Sequence, residues 1–230
     1  MKTIGLLGGV SWHSTLEYYR LLNEITHEKL GGQYSAKILI YSFNFQEIRA
    51  LHSHSEKELC KRLIQEAQKL EDAGADCLLI GANTLHMFYN DIKEKLQIPV
   101  IHIAEATGKE INRQGLKKVG LLATKHTMER AFYVEKLKLL DIETVLPSEN
   151  ERESISNIIY NELVKGKILK KSKDFYLEVS SQLVNKFNIE GLILGCTEIP
   201  LLINQKDLNI PVFNTTEIHA NEAVRFSLEE

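Results

Sequence analysis

The sequence predicts an α/β protein of two pseudo-symmetric lobes, each built on a mostly parallel sheet flanked by helices. Short apolar runs alternate with longer amphipathic segments throughout the 230 residues, and this alternation is typical of βαβ units whose strands are buried on both faces. A composition of 43% apolar and 26% charged residues is that of an ordinary globular chain. Similar motifs also recur in the two halves of the chain in the same order.

The predicted strands are short apolar runs bounded by turn residues. In chain order they are Lys2–Leu7, Lys37–Phe43, Cys77–Gly81, Pro99–Ile103, Val119–Thr124, Glu143–Leu146, Leu192–Leu194 and Pro211–Phe213.

Three helices of the first half carry clear sequence signals. The spacing of Leu16, Tyr19, Leu22 and Ile25 predicts a helix over Ser14–Leu30, which the glycines that follow would end.

Ser55 and Glu58 form a capping-box pattern. They begin a helix that stops near Gly74 and whose inner face carries Leu59, Leu63 and Leu70. A further helical segment is predicted over Leu85–Leu96.

The internal repeat defines the domain organisation. IGLLGG at 4–9 matches VGLLAT at 119–124, LLIGANTLH at 78–86 matches LILGCTEIP at 192–200, and IPVIHIAE, ending at 105, matches IPVFNTTE, ending at 217. The offsets of 115, 114 and 112 residues are nearly constant. We therefore expect a first lobe over 1–104 and a second over 105–216, and leave open whether 217–230 packs back on the first.

Charge and cysteine content exclude several classes of protein. A net charge of −3 with no basic cluster argues against a nucleic-acid partner and against an anionic membrane surface. No uncharged apolar run reaches the ~18 residues of a membrane span, and the amino terminus has no signal-peptide pattern. Three cysteines favour a reducing cytoplasm over a disulfide framework. CxxC and HExxH motifs are absent, so we expect no metal site.

Four loops at predicted strand ends are rich in small hydroxyl and amide residues. They are Gly8–Thr15, which includes Ser11, then Ala82–His86, Thr124–Thr127 and Cys196–Glu198. Ligands of parallel α/β sheets gather at the carboxyl ends of strands, and uncharged donors there suit a small carboxylate. Helix N-capping is the alternative for any one of these hydroxyls.

Cys196 is the cysteine best placed for chemistry. It follows the predicted strand GLILG and is expected at the start of a helix, a position that lowers the pKa of a thiol. A buried structural cysteine is the alternative, and it is the interpretation we adopt for Cys60 and Cys77.

The motifs GGVSWHST, GANTLH, LLATKHTM, ELVKGK and LGCTEIPLLI occur in this order. Together they resemble the cofactor-independent aspartate/glutamate racemase superfamily, from residue 4 to about residue 217. The resemblance implies two α/β lobes with the active site between them, often in homodimers. It also implies an acidic amino acid as substrate, no pyridoxal cofactor, and two cysteine bases on opposite faces of the substrate Cα.

Ala82 departs from that pattern. The second-lobe cysteine is present as Cys196, but the residue before Asn-Thr, where the resemblance implies the first-lobe cysteine, is alanine. The repeat pairs the same two positions. Three outcomes remain open: a one-base racemase, with water or Thr84 donating from the other face; a decarboxylase similar to arylmalonate decarboxylases, with Cys196 as proton donor; or a non-catalytic binder of a small acid.

The remaining candidate residues would bind the substrate. The resemblance implies that Asn83 and Thr84 contact the α-carboxylate or amino group, that Thr124 and Thr197 donate hydrogen bonds, and that Lys165 binds a second carboxylate. A solvated lysine at a helix end is the alternative for Lys165.

Four further residues complete the candidates, and of these Arg49 lies where the match to the family is loose. Arg49 is a candidate clamp for the distal carboxylate because a guanidinium binds carboxylates bidentately. Glu198 would orient the cysteine or hold the substrate ammonium, and beside a thiolate it would raise the thiol pKa. His86 is a candidate proton shuttle, and we expect it to be a partly exposed polar residue. Trp12 could line the pocket, but we expect it to pack beneath the first loop.

Overall fold

The structure, a computed structural model, describes residues 1–229, which form two compact units. The first comprises Met1–Ile103 and the C-terminal segment that begins at His219, and the second is Ala104–Ile218. Each contains a four-stranded parallel sheet, in the order β2-β1-β3-β4 in the first unit and β6-β5-β7-β8 in the second. The identical strand order follows the sequence repeat, and the predicted fold class is confirmed.

All eight predicted strands are present, with ends shifted by a few residues. They are β1 (Ile4–Gly8), β2 (Ile38–Ser42), β3 (Cys77–Ile80), β4 (Val100–Ile101), β5 (Lys118–Ala123), β6 (Glu143–Val145), β7 (Gly191–Gly195) and β8 (Val212–Asn214). Every residue of β1, β3 and β7 is buried because these central strands have neighbours on both sides and helices on both faces.

Within residues 1–229, ten α-helices pack around the sheets, and four of them end before residue 103. They are α1 (Trp12–Leu30), α2 (Phe45–His54), α3 (Glu56–Asp72), α4 (Tyr89–Lys93), α5 (Ile103–Arg113), α6 (Lys125–Glu129), α7 (Ala131–Lys138), α8 (Glu149–Asn161), α9 (Lys170–Phe187) and α10 (Thr215–Leu228).

The helix predicted over 85–96 is wrong in its details. The chain forms a 3₁₀-helix over Thr84–Phe88 and then the five-residue α4. The loop that follows β3 therefore takes up the narrower 3₁₀ form from Thr84 onwards.

The inner face of α1 differs from the prediction at two positions. Leu16 and Tyr19 are exposed, at 58% and 51%, whereas Tyr18 is fully buried. The actual buried stripe is displaced around the helix toward Tyr18, Leu21, Leu22 and Ile25.

Helix α3 confirms its predicted cap and core face. Ser55 accepts a hydrogen bond from the Glu58 amide at 3.3 Å. Leu59 and Leu63 are completely buried, and full burial of a leucine side chain contributes about 2 kcal/mol.

Gly9 fixes the turn that starts the first loop. Its φ of +83° lies in the left-handed region, where residues with a Cβ are strained. A Cβ there would also overlap the backbone of Phe43. The Gly9 amide donates to Thr15 Oγ1 at 2.6 Å, which ties the turn to the first turns of α1.

Other features bear on the expectations drawn from composition. No helix within residues 1–229 combines the length and the apolar character that crossing a membrane requires. The three cysteines are unpaired. In the same range, His, Cys, Asp and Glu side chains form no cluster of three that could hold a metal ion.

Candidate active site

The candidate residues of the second unit follow two paired strands. Ala123, the last residue of β5, pairs with Gly195, the last residue of β7. Thr124 and Cys196 therefore leave the sheet from neighbouring strands at its carboxyl edge, where parallel sheets bind ligands.

Cys196 lies against the carboxylate of Glu198. The half-buried thiol donates to Glu198 Oε2 at 3.0 Å, and the Thr197 hydroxyl donates to the same oxygen at 2.6 Å. Glu198 is itself only 4% exposed. The structure thus brings Cys196, Thr197 and Glu198 together around one buried carboxylate oxygen.

The predicted lowering of the Cys196 pKa is wrong. No α-helix begins at this residue: the chain makes only a three-residue 3₁₀-helix, Ile199–Leu201, further on. Burial and the negative charge of Glu198 raise the thiol pKa well above 9, and the opposing backbone N–H groups of Thr197 and Glu198 are outweighed. Cys196 is therefore a protonated thiol at neutral pH.

Thr124 and Lys165 have different surroundings. Thr124 is buried and caps α6, since its Oγ1 accepts from the Thr127 amide at 3.4 Å. Lys165 is exposed at the end of the 3₁₀-helix Leu163–Lys165, before Gly166, whose φ is +70°. Its ammonium group is available for an anionic ligand or for solvent.

The first unit gathers its own candidates at the ends of β1 and β3. Ser11, Ala82 and Asn83 are buried, at 4%, 8% and 4% exposure. The Ser14 hydroxyl lies between the two loops, 2.9 Å from the carbonyl oxygen of Ser11 and 3.3 Å from that of Gly81.

Thr84 is half-buried and is the first residue of the 3₁₀-helix after β3. Arg49 is exposed on α2, with its guanidinium 5.9 Å from the centre of the Phe45 ring. Thr84 thus belongs to the loop of Ala82 and Asn83, whereas Arg49 is on a separate surface helix.

Buried histidines support this first-unit loop, a role that the sequence analysis missed. His86, expected to be partly exposed, is only 1% exposed. Its Nδ1 lies 3.0 Å from the carbonyl oxygen of Ala82, and its Nε2 accepts from the Ile103 amide at 3.2 Å. Because a carbonyl only accepts, the neutral ring carries its proton on Nδ1. The sequence signal that could have indicated this supporting role is the position of His86 at the end of the ANTLH motif.

His219 extends this buried polar group. Its Nε2 lies 2.8 Å from the carbonyl oxygen of Ile101, so the ring carries its proton there, and the Tyr18 hydroxyl donates to Nδ1 at 2.8 Å. The His86 and His219 rings are 5.5 Å apart. Burial lowers the pKa of His86 to about 4 and that of His219 to about 3, so both rings are neutral.

The prediction for Trp12 is wrong. Its side chain is 61% exposed, and its ring stacks on His13 with the centroids 3.6 Å apart. A side chain exposed to this degree does not pack beneath the first loop.

Residues 7–223 match the Asp/Glu/hydantoin racemase family. The chain belongs to that family. This match covers both units, including Ala82 and Cys196, and confirms the resemblance drawn from the motifs.

Relatives of known name agree with this membership. The chain is 27% identical over 172 residues to the broad specificity amino-acid racemase RacX of Bacillus subtilis, covering 73% of this chain and 71% of that protein. It is 42% identical to a candidate Asp/Glu racemase from Yersinia pestis, with a TM-score of 0.93 and complete coverage of both chains. An aspartate racemase homologue from Pyrococcus horikoshii OT3 is 37% identical, with a TM-score of 0.88 and complete coverage of both.

Proposed function

We propose that this racemase-family chain is a PLP-independent racemase of acidic amino acids, aspartate or glutamate, and that Cys196 transfers the Cα proton. The observation that carries the proposal is the half-buried Cys196 thiol at the carboxyl edge of β7, held by a buried carboxylate. A thiol in that place is the group that the family resemblance implies as the second-lobe base.

The chemistry requires a stabilised carbanion. Removing the Cα proton leaves an electron pair beside a carboxylate, so the site must bind that carboxylate with several preorganised donors. We assign this to Ser11, Asn83, Thr84 and Thr124; the Thr197 hydroxyl, predicted from the resemblance to donate to the substrate, has its one proton on Glu198 instead. We further assign the distal carboxylate, which distinguishes acidic amino acids, to Lys165 and Arg49, because cations select for a second negative charge.

Ala82 makes the proposed enzyme a one-base variant. A methyl group cannot accept or donate a proton, so only Cys196 supplies an evident base. Reprotonation from the other face then falls to water or to the Thr84 hydroxyl, which is a poor acid at neutral pH. We therefore expect racemisation to be slow and faster from one enantiomer than from the other.

Two further assignments accompany the proposal. Three unpaired cysteines are typical of a reducing compartment, and we propose a cytoplasmic location. We also propose a homodimer, as the family resemblance implies; size-exclusion chromatography with light scattering should then give twice the chain mass of 26.3 kDa.

The test is proton exchange at Cα. Each enantiomer of aspartate and glutamate is incubated with the enzyme in D2O, and loss of the Cα–H signal is followed by NMR. Exchange from one enantiomer, abolished in Cys196→Ala and retained in Cys60→Ala, supports the proposal. Binding without exchange would favour a small-acid binder, and CO2 release from an arylmalonate would favour a decarboxylase.

A further inference from the structure

The carboxylate of Glu198 is positioned as a proton acceptor for the Cys196 thiol. Its Oε2 lies 3.0 Å from Sγ, within the range of a hydrogen bond that involves sulfur, and it also accepts from the Thr197 hydroxyl. A group that takes a proton must lie within hydrogen-bond reach of it. The negative charge is held in a buried position, since Glu198 is 4% exposed.

Loss of the Cys196 thiol proton to water is unfavourable. Burial and the Glu198 charge hold its pKa well above 9, so release of the proton to water would leave two adjacent negative charges. Transfer of the same proton to Glu198 leaves the pair with one negative charge throughout. It also removes the carboxylate charge that holds the thiol protonated, as expected for two coupled groups.

The surroundings of the sulfur favour the same transfer. The backbone N–H groups of Thr197 and Glu198 stabilise a negative sulfur. Tyr176 is a further titratable group that interacts with Cys196, and its own pKa is raised by burial and by the charges of Cys196 and Glu162. Its hydroxyl donates to the carbonyl oxygen of Ile155 at 3.2 Å, so it is already engaged elsewhere.

We propose that Glu198 is the proton-holding partner of Cys196, a role that rests on the proposed function. The S–H bond breaks with its electron pair left on sulfur, and an O–H bond forms at Glu198 Oε2. The thiolate then takes the Cα proton: the Cα–H bond breaks, its electron pair stays on carbon beside the substrate carboxylate, and an S–H bond forms. Glu198 is thus a positioning residue that sets the protonation state of the reacting sulfur.

The test compares two readouts that this role moves in opposite directions. In Glu198→Gln the charge is lost but the shape and an accepting oxygen remain. Iodoacetamide at pH 8 should then alkylate Cys196 at least about tenfold faster, because a neighbouring charge shifts a pKa by about 1 unit or more. Cα exchange should nevertheless fall by about 100-fold or more, the usual contribution of general acid–base catalysis, because in the complex the substrate covers the sulfur and the thiol proton then has no carboxylate to accept it. A variant that merely damaged the site would lose exchange without this defined gain in reactivity.

Controls are available within the same chain. Alkylation is read by mass spectrometry of the peptide that contains Cys196, and Cys60 serves as the internal reference thiol with an unchanged rate. Glu135→Gln removes an exposed carboxylate from α7 of the same unit and should leave both readouts unchanged. Glu198→Asp keeps the charge but withdraws it by one methylene, so its alkylation rate should be intermediate; this variant decides the matter if the glutamine variant does not fold.

The outcomes separate the two proposals. Cys196 alkylation within twofold of wild type in Glu198→Gln, or Cα exchange kept above a third of wild type, would overturn the role of Glu198. A raised KM with unchanged kcat would overturn it too, in favour of a contact with the substrate ammonium. If the wild type exchanges no amino acid although the variant shows the alkylation gain, the thiol–carboxylate pair stands and the racemase assignment is wrong.

Discussion

The buried histidines of the first unit predict a specific loss of stability in mild acid. His86 and His219 are neutral in the folded chain, with pKa values of about 4 and about 3, whereas an exposed histidine titrates near 6.5. Between these values the unfolded chain binds more protons than the folded one, so the free energy of unfolding rises with pH. The stability is fully present above about pH 6.5 and is lost as the pH falls toward the folded pKa values.

The size of the effect at pH 5 depends on the unfolded chain. One pKa unit is worth about 1.4 kcal/mol, so a drop from 6.5 to 5 stabilises each unfolded imidazole by about 2 kcal/mol. Both rings stay neutral in the folded chain at pH 5, so charge repulsion between them makes no contribution to this free-energy difference. The two histidines together should therefore lower the free energy of unfolding by about 4 kcal/mol between pH 7.5 and pH 5.

Urea unfolding followed by circular dichroism at pH 7.5, 6.5, 5.5 and 5.0 measures this change. His219→Gln keeps a donor to the Ile101 carbonyl and should remove about half of the pH dependence. His27→Gln, at an exposed position of α1, should leave it unchanged and is the matched control. A total change below about 1 kcal/mol, or the full dependence in His219→Gln, would refute the reasoning from burial.

Three substitutions and one control substitution test other parts of the structure. Ala82→Cys should raise racemisation in both directions because it restores a second thiol; unchanged rates would contradict the repeat-based assignment of position 82. Gly9→Ala should destabilise the fold by more than about 1 kcal/mol in urea unfolding, because φ is +83° and the new Cβ meets Phe43. Leu63→Ala truncates a fully buried side chain and should lower the free energy of unfolding by about 2–5 kcal/mol. The control Leu139→Ala, at a side chain that is 77% exposed, should lower it by less than about 0.5 kcal/mol. Equal losses in the two variants would contradict the assigned core.

The sequence predicts the sheets well because their signal is local and strong. Each strand is a short apolar run, and the repeat of IGLLGG with VGLLAT ties the two sheets to one pattern. Helix α2 was not predicted, because of its ten residues only Ile48 is buried and the apolar periodicity is weak. The hydrogen bond from the Gln46 amide to Asn44 begins this helix, and such a local cap leaves little trace in an apolar pattern.

The candidate residues follow from motifs, but their environments do not. His86 is a polar residue in a loop motif, and nothing in its sequence neighbours indicates that Ile103, 17 residues further on, supplies the donor that satisfies its second nitrogen. Conversely, Trp12 is the kind of residue that usually packs inside, yet it is 61% exposed. Burial depends on contacts between distant elements, which a single sequence specifies only indirectly.

The pKa of Cys196 is raised, whereas the position of the residue before a predicted helix led us to expect a lowered value. The helix-terminus argument considers only the dipole that follows the cysteine, and the short 3₁₀-helix Ile199–Leu201 supplies little of it. Glu198, two residues away, contributes a full charge in a buried place, and electrostatic effects there are stronger than in water. The resting site therefore holds a protonated thiol beside a carboxylate. Under the proposed function that pair shares one movable proton, and we expect its protonation state, rather than a preformed thiolate, to control when Cys196 accepts a proton from carbon.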